Sequence, residues 1–229
     1  MLRRIFFPLL LATSACALAA EPVGGQHNQT APMPINGMIA AVKNGKMAFV
    51  SDNGRFVFRG SMYDTWAQKE ITTLEEAEQA SKYIDLQKIK FNIEDLVPFT
   101  VGTGSKTVVV FTDPLCPSCA NLISDLKKVE GYTFKIVEVP ALGDESAKIV
   151  RSLLCAEDKD AAFDIATGKE KPKVIDQRGN DCDTSPIGKR IISAQMFGVK
   201  GVPFMIRNDG LIKHGYEKGT LSNWLMGAN

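Results

Sequence analysis

Residues 107–122, TVVVFTDPLCPSCANL, place two cysteines three positions apart directly after an apolar run. The apolar run is typical of a buried strand, which should end near Asp113 and Pro114 because proline cannot continue the hydrogen bonding of a central strand. Pro117 suits the first position of a following helix. We therefore expect Cys116 at the N-cap of that helix, on a turn between a strand and a helix.

The expected setting of Cys116 favours the thiolate over the thiol. Unpaired backbone N–H groups and the positive end of the helix dipole both stabilise negative charge at this position. Cys119 lies one helical turn further on, where it can close a small disulfide with Cys116 and open it again. A CxxC motif at a strand-to-helix turn is therefore typical of a redox couple.

Two other interpretations of this cysteine pair remain open. A purely structural bridge between residues so close in sequence would restrict the unfolded chain very little. A zinc site with four cysteine ligands would need a second pair at close spacing, and the other candidates, Cys155 and Cys182, are isolated from each other in sequence. We favour the redox couple and predict no metal site.

Cys155 and Cys182 lie 27 positions apart, and neither has a cysteine neighbour that could resolve a mixed disulfide. Joined to each other, they would staple a helical stretch of the chain and stabilise the fold by about 3 to 4 kcal/mol in the chain-entropy model. The sequence therefore predicts a structural role for this second pair.

The first nineteen residues have the pattern of an export signal. Two arginines begin the segment, an apolar run follows, and Ala17-Leu18-Ala19 is typical of a cleavage site. A buried N-terminal helix and lipoprotein processing at Cys16 are the alternatives. Cleavage after Ala19 would remove Cys16 and leave four cysteines, an even number that permits two bridges in an oxidising compartment.

The charge balance argues against two classes of partner. Lys and Arg total 27 against 26 Asp and Glu, and loss of residues 1–19 removes two arginines and no acid, which leaves 25 against 26 and a net charge of −1. A chain so close to neutral has no electrostatic reason to bind nucleic acid or an anionic membrane surface.

The region before the linker predicts a small antiparallel sheet. Residues 21–36 have no apolar period and read as a loose leader, which contains His27 as a solvated loop histidine. Asn44-Gly45 and Asn53-Gly54 are typical of type I′ turns, so we expect two consecutive hairpins and about four strands over 38–66. Such a sheet has exposed edges and should pack on a partner, and a second copy of the chain is one option.

The rest of the chain predicts a helix and then a layered α/β domain. Residues 73–90 look helical, with Thr73 and Glu76 as a capping box and only a thin apolar stripe, which is typical of a linker. Beyond about residue 93, strands alternate with helices. His214 is expected on a solvent-facing strand and not as a catalytic base, since thiolate chemistry does not require one.

The stretch GVPFMI at 201–206 allows two interpretations. Pro203 could simply begin an edge strand, where proline is tolerated. It could also follow a cis peptide bond, which would leave the backbone of Val202 free to pair with an extended substrate chain.

Taken together, these motifs resemble the DsbC/DsbG family of exported protein disulfide isomerases, in the thioredoxin superfamily. The resemblance is carried by GSMYD at the end of the hairpin sheet, VVVFTDPLCPSC, LLCAEDKDAAFD with its later Cys182, and FGVKGVP. It implies an α+β fold in which a signal peptide, 1–19, precedes an N-terminal dimerisation domain with a flexible leader, 20–72. A linker helix, 73–92, then leads to a thioredoxin-fold catalytic domain with a helical insertion, 93–229.

The resemblance also implies a mechanism and partners. Cys116 would attack a wrong disulfide in a client, Cys119 would resolve the mixed disulfide, and Val202 with Pro203 would hold the client backbone. The protein would be a V-shaped homodimer in the periplasm that needs no cofactor. Its clients would be misbridged exported proteins, and a membrane reductase of the DsbD type would keep the pair reduced.

Three positions near the sulfurs differ from the usual family pattern. Pro117 is closer to DsbG than to DsbC, Ser118 stands where the family usually has tyrosine, and Val202 stands where isomerases usually have threonine and the oxidase DsbA has valine. These positions tune the stability of the thiolate. A dithiol oxidase and a thiol-independent holdase chaperone are therefore kept as alternatives.

Overall fold

A computed structural model describes residues 29–43, 45–179 and 181–227. The predicted signal peptide, Cys16 and His27 lie outside the described residues. The described chain has an N-terminal antiparallel sheet of four strands, a two-stranded hairpin, a helix, and a C-terminal sheet of five strands flanked by helices. This arrangement confirms the predicted α+β fold class. Within these ranges, no helix is both long and apolar enough to cross a membrane.

The N-terminal sheet begins earlier than the sequence predicts. Its strands, all antiparallel and in chain order, are β1 (Gln29–Pro32), β2 (Met38–Lys43), β3 (Lys46–Ser51) and β4 (Val57–Arg59). β1 lies inside the stretch predicted to be a loose leader, so that prediction is wrong for these residues. Ala31 and Met33 bury their side chains beside Ala40 and Phe49, and this tertiary contact outweighs the polar composition of the segment.

The two Asn-Gly dipeptides do not form the same turn. β2 and β3 pair as far as Lys43 and Lys46, and Gly45 has a positive φ of 71°. β3 and β4 pair only as far as Val50 and Val57. The hydroxyl of Ser51 accepts the N–H of Phe56 at 2.9 Å and closes a longer loop around Asn53-Gly54. The second type I′ turn predicted from the sequence is therefore wrong.

The prediction that the four-stranded sheet extends to residue 66 is also wrong for its last part, residues 61–66, SMYDTW. Those residues belong instead to a separate hairpin, made by β5 (Met62–Asp64) and β6 (Lys69–Ile71). The Asp64 carboxylate accepts the backbone N–H groups of Trp66 and Ala67 and turns the chain back at this point.

Helix α1 (Leu74–Lys82) is half the predicted length. Thr73 and Glu76 form the expected capping box, but the chain becomes extended at Tyr83. The N–H of Ile84 donates to the carbonyl of Gly210 at 2.8 Å, and the side chain of Ile84 is buried in the C-terminal core. The segment predicted as a continuous linker helix therefore ends against the C-terminal domain, because burial of its apolar residues there competes with helix continuation.

The C-terminal domain is built on a mixed sheet in the order β11, β10, β8, β9, β7. β8 and β9 are parallel, and the other pairs are antiparallel. After a short 3-10 helix (Ile93–Leu96), its strands are β7 (Phe99–Val101), β8 (Lys106–Thr112), β9 (Tyr132–Glu138), β10 (Phe204–Ile206) and β11 (Ile212–His214). Its helices are α2 (Pro117–Leu126), α3 (Asp144–Leu154), α4 (Lys159–Ala166), α5 (Ser185–Met196) and α6 (Leu221–Met226).

Strand β8 is buried on both faces, which explains its unbroken apolar sequence. Val108 and Val110 face a core with residues of α2 and α6, whereas Val109 and Phe111 face a second core that contains Phe197. The carboxyl end of this central strand leads straight into the cysteine motif. The cysteine motif therefore follows directly from a strand that is buried on both faces.

Candidate active site

Cys116 is the N-cap of helix α2, as the strand–proline–helix pattern predicts. Its backbone is extended, with φ −85° and ψ 115°, and its Sγ accepts the backbone N–H of Cys119 at 3.1 Å. Pro117 occupies the first turn of the helix. Both the helix dipole and the free N–H groups of the first turn therefore point at the sulfur of Cys116.

The two sulfurs of the motif are joined, and they differ in access. Cys116 and Cys119 form a disulfide with a Cα–Cα distance of 5.2 Å. Cys116 is 5% exposed and Cys119 only 1%, while Leu115 and Pro117 beside them are exposed. Cys116 is therefore the more accessible of the two cysteines.

Ser118 and Val202 both lie next to the outer sulfur. The hydroxyl of Ser118 is 3.3 Å from Sγ of Cys116, and the carbonyl oxygen of Val202 is 3.7 Å from the same atom. The bond between Val202 and Pro203 is cis, which is one of the two conformations left open by the sequence. The structure thus brings together residues 86 positions apart in sequence, Cys116 and Val202.

A buried carboxyl near the carboxyl end of the sheet was not identified from the sequence. Glu138, the last residue of β9, pairs in register with Thr112 and is 1% exposed. Burial raises the pKa of Glu138 to about 8, with a further rise from Asp113, against the opposing effects of Thr112 and Arg190. An acid between two valines in an otherwise apolar run, VEV, is the signal that could have revealed it.

Arg190 on α5 is the fully buried cation of this region. Its guanidinium donates to the backbone carbonyls of Leu96, Val97 and Glu138 at 2.7 to 3.1 Å. Burial lowers the pKa of Arg190 to about 10, a value at which it stays charged at neutral pH. Arg190 therefore ties α5 to the main chain of two other segments, the end of the 3-10 helix and the end of β9.

The second cysteine pair lies apart from this turn, on the helical insertion. Cys155, 1% exposed, follows α3 and is bonded to Cys182, with a Cα–Cα distance of 5.6 Å. Cys182 lies just before α5. The bridge therefore joins the end of one helix to the segment that begins another.

His214 is exposed on β11, with its ring 4.8 Å from the ring of Phe204. Partial burial, with a smaller effect of Lys200, lowers the pKa of His214. In the ranges 29–43, 45–179 and 181–227, no group of three or more His, Cys, Asp or Glu side chains is arranged to hold a metal ion.

Comparison with protein families gives two matches along the chain. Residues 100–226 match the thioredoxin-like domain, and residues 16–73 match the N-terminal domain of disulfide bond isomerase proteins. The first match covers more than half of the chain and contains both the CxxC motif and Pro203.

Individual relatives are similar in sequence to this protein over most of the chain. The thiol:disulfide interchange protein DsbC of Dickeya dadantii is 25% identical over 228 residues, which are 94% of this chain and 90% of the relative. DsbC of Escherichia coli K12 is 23% identical over 226 residues, 93% of this chain and 90% of the relative.

Solved structures share the fold. A linker-deletion variant of Proteus mirabilis ScsC aligns with a TM-score of 0.55 at 20% identity, over 68% of this chain and 85% of that one. ScsC in a transitional conformation aligns with a TM-score of 0.51 at 18% identity, over 67% of this chain and 83% of that one. The chain has a CxxC disulfide at the end of its central strand, a thioredoxin-like domain and an N-terminal domain of the disulfide bond isomerase kind. It therefore belongs to the thioredoxin-like family, is of the DsbC type, and is a thiol–disulfide oxidoreductase.

Proposed function

We propose that this protein is a periplasmic disulfide isomerase that rearranges wrong disulfides in exported proteins through its CPSC motif. The observation that carries the proposal is the position of Cys116 at the N-cap of α2, where its sulfur accepts an N–H of the first turn and lies 3.7 Å from the carbonyl of Val202. The export-signal pattern and the DsbC relatives support the compartment.

The reaction begins with the reduced pair. The thiolate of Cys116 attacks one sulfur of the client's disulfide, so a bond forms between Cys116 and that sulfur while the client's S–S bond breaks and the other sulfur leaves as a thiolate. A different client thiolate then attacks the mixed disulfide. It forms a new client S–S bond and releases Cys116 as thiolate, with no net oxidation or reduction.

Cys119 supplies the alternative exit from the mixed disulfide. Its thiolate attacks the sulfur of Cys116, the client leaves reduced by two electrons, and the Cys116–Cys119 disulfide forms. Return to the reduced state needs two electrons from a dithiol donor. We assign this role to a membrane reductase of the DsbD type.

Val202 and Pro203 hold the client in this scheme. The carbonyl of Val202 lies beside the reacting sulfur and is available to an extended client backbone, whose N–H groups are its natural partners. Main-chain pairing of this kind is independent of side-chain identity. It suits an enzyme whose clients share only a misplaced disulfide.

Residues 20–72 act as the dimerisation domain in this proposal. β4 is an edge strand in which Val57 is 53% exposed and Phe58 55%, and Phe56 before it is 52% exposed. An apolar edge of this kind requires a covering partner, and a second copy of the same strand satisfies its free backbone groups. Phe58→Asp should give a monomer by size-exclusion chromatography with light scattering, while a wild-type monomer would contradict the dimer.

Reactivation of scrambled ribonuclease tests the isomerase directly. The purified, pre-reduced protein should restore ribonuclease activity, and Cys116→Ala should abolish the effect because it removes the attacking sulfur. Cys119→Ala should keep part of the activity, since direct client attack needs only Cys116. Absence of reactivation by the wild-type protein would reject the isomerase.

A dithiol oxidase is the second candidate, and the hydroxyl of Ser118 favours it. A hydroxyl 3.3 Å from Sγ of Cys116 stabilises the thiolate. When the reduced form of a pair is more stable, its disulfide is a stronger oxidant. Thiol trapping in the native compartment separates the two functions: a mostly reduced pair supports the isomerase, and a mostly oxidised pair supports the oxidase.

Chaperone activity is a third, thiol-independent candidate, favoured by the exposed apolar residues of the N-terminal sheet. A Cys116→Ala/Cys119→Ala variant that still suppresses client aggregation would establish it. Loss of suppression in that variant would exclude a thiol-independent holdase.

A further inference from the structure

Asp113 links the turn before Cys116 to the loop after β9 through hydrogen bonds. Its carboxylate accepts the backbone N–H of Leu115 at 2.8 Å through one oxygen. Its other oxygen accepts the backbone N–H of Leu142 at 2.9 Å and the hydroxyl of Ser146 at 2.5 Å. The side chain is only 2% exposed, so three donors satisfy a buried carboxylate that has been removed from water.

This arrangement brings two exposed leucines close together, and one of them directly precedes Cys116. The N–H groups of Leu115 and Leu142 reach the same carboxylate, so the two residues are neighbours although 27 positions separate them in sequence. Leu115 is 37% exposed and Leu142 is 52% exposed. Leu115 directly precedes Cys116, so at least one of these two apolar side chains lies next to the residue that would bond to a client.

We propose that Asp113 is a positioning residue that holds Leu115 and Leu142 as an apolar contact for the client side chain next to the attacked cysteine. The proposal deepens the exchange reaction described above and rests on it. The occupant is an apolar side chain of the client, because Leu115, directly before Cys116, and Leu142 beside it are exposed and apolar, whereas their polar N–H groups are already bound to the carboxylate.

Asp113→Asn breaks this arrangement selectively. The amide oxygen can still accept the N–H of Leu115, but the amide NH₂ replaces the oxygen that faces Leu142 and cannot accept its N–H. Leu142→Ser removes the apolar side chain and keeps the backbone donor. Ser146→Ala is the matched control, because it removes one donor from the carboxylate and leaves both leucine N–H groups bound.

The test uses three disulfides with the pre-reduced full-length protein. Two are disulfide-linked dimers of short peptides that differ only in the residue before cysteine, leucine or serine, and the third is oxidised glutathione. Single-turnover mixing, quenched with an alkylating agent and followed by mass spectrometry, gives a second-order rate constant for each. The ratio of the leucine to the serine peptide reports the apolar contact.

The wild-type protein should react about 5- to 10-fold faster with the leucine peptide, the range expected for one partly buried apolar side chain. Asp113→Asn and Leu142→Ser should bring the ratio close to one while the rate constant with glutathione changes by less than about two-fold. Ser146→Ala should keep the wild-type ratio. Val174→Ser should keep it too, as a control at an apolar residue, 48% exposed, outside both loops.

Several results would overturn the proposal. They are a wild-type ratio of one, an unchanged ratio in Leu142→Ser, or an equal fall of all three rate constants in Asp113→Asn, which would indicate a purely structural role. If Asp113→Asn does not fold, Leu142→Ser carries the test alone. Failure of the wild-type protein to react with glutathione would instead count against the exchange function itself.

Discussion

The Cys116–Cys119 and Cys155–Cys182 disulfides differ in the chain they enclose and in what surrounds their sulfurs. The first spans three positions at the start of a helix, beside the hydroxyl of Ser118 and the carbonyl of Val202. The second spans 27 positions and ties the end of α3 to the segment before α5. The first disulfide therefore closes a short loop at a helix N-terminus, and the second closes a long loop between two helices.

The two disulfides therefore differ in role: the short one serves the chemical reaction and the long one stabilises the fold. A bridge that closes a very short loop removes little entropy from the unfolded chain, so its value to the protein lies in opening and closing. A bridge that closes a long loop restricts the unfolded chain substantially, and in the part of the chain that the structure describes the other two cysteines are bonded to each other. One fold thus uses the same bond for two purposes, and the purposes should be separable by mutation.

The largest effect should come from the short bridge. Cys116→Ser/Cys119→Ser should lower the rate of disulfide exchange by at least about 10³-fold, since the variant lacks both thiols of the motif and a thiolate is the nucleophile in this reaction. Its free energy of unfolding should fall by at most about 2 kcal/mol, less than for the long bridge, because the loop is short. Oxidised glutathione turnover and urea denaturation measure the two quantities, and a large loss of stability would break the comparison.

Removal of the long bridge should do the reverse. Cys155→Ser/Cys182→Ser should lower the free energy of unfolding by about 3 to 4 kcal/mol, from the loop entropy returned to the unfolded chain. Exchange with glutathione should stay within about two-fold, because neither cysteine adjoins the redox turn. Urea denaturation of the non-reduced proteins is the measurement. Loss of exchange in a folded variant would contradict a purely structural role.

Glu138 lies at the same end of the sheet as the redox pair, and it should make the stability of the protein depend on pH. Its folded pKa of about 8 lies above the ordinary 4.5, so the folded state holds a proton that the unfolded state releases between these values. The stability that this carboxyl contributes is full below about pH 4.5 and falls as the pH rises towards about 8. Glu138→Gln, which stays neutral, should be more stable than wild type by up to about 4 kcal/mol at pH 8.

That stability difference should disappear near pH 4.5, the ordinary pKa of the carboxyl. Thermal or urea unfolding across this pH range provides the check, with Gln177→Glu as a control that adds an exposed acid. A constant difference at all pH values would mean that Glu138 is charged in the folded protein.

The smallest expected effect is a change in the reduction potential of the Cys116–Cys119 pair. Ser118→Ala removes the hydroxyl 3.3 Å from Sγ of Cys116, which should destabilise the thiolate and therefore the reduced form. The reduction potential should become more negative by about 10 to 20 mV, equivalent to one modest hydrogen bond. Equilibration against glutathione buffers gives the potential, and a shift towards more oxidising values would contradict this role of Ser118.

Much of the redox turn could be predicted because its chemistry is local. A strand that ends in Asp-Pro, a proline in the first helical turn and a cysteine between them specify an N-cap without reference to the rest of the fold. By the same local logic, the capping box at Thr73 and Glu76 was predicted correctly. The length of the helix that follows was not, because Ile84 finds its partner at Gly210, more than a hundred residues away in sequence.

The sequence by itself determined the alternation of strands and helices beyond about residue 93, the placement of Cys116 at a helix N-terminus and the α+β class, since each depends on apolar period and turn residues close together in the chain. Only the tertiary structure decided that Gln29–Pro32 is a strand, that Leu142 shares a carboxylate with Leu115, and that Glu138 is buried. These features depend on register and burial between distant segments. A buried acid and an exposed one look alike in sequence, and only packing removes one of them from water.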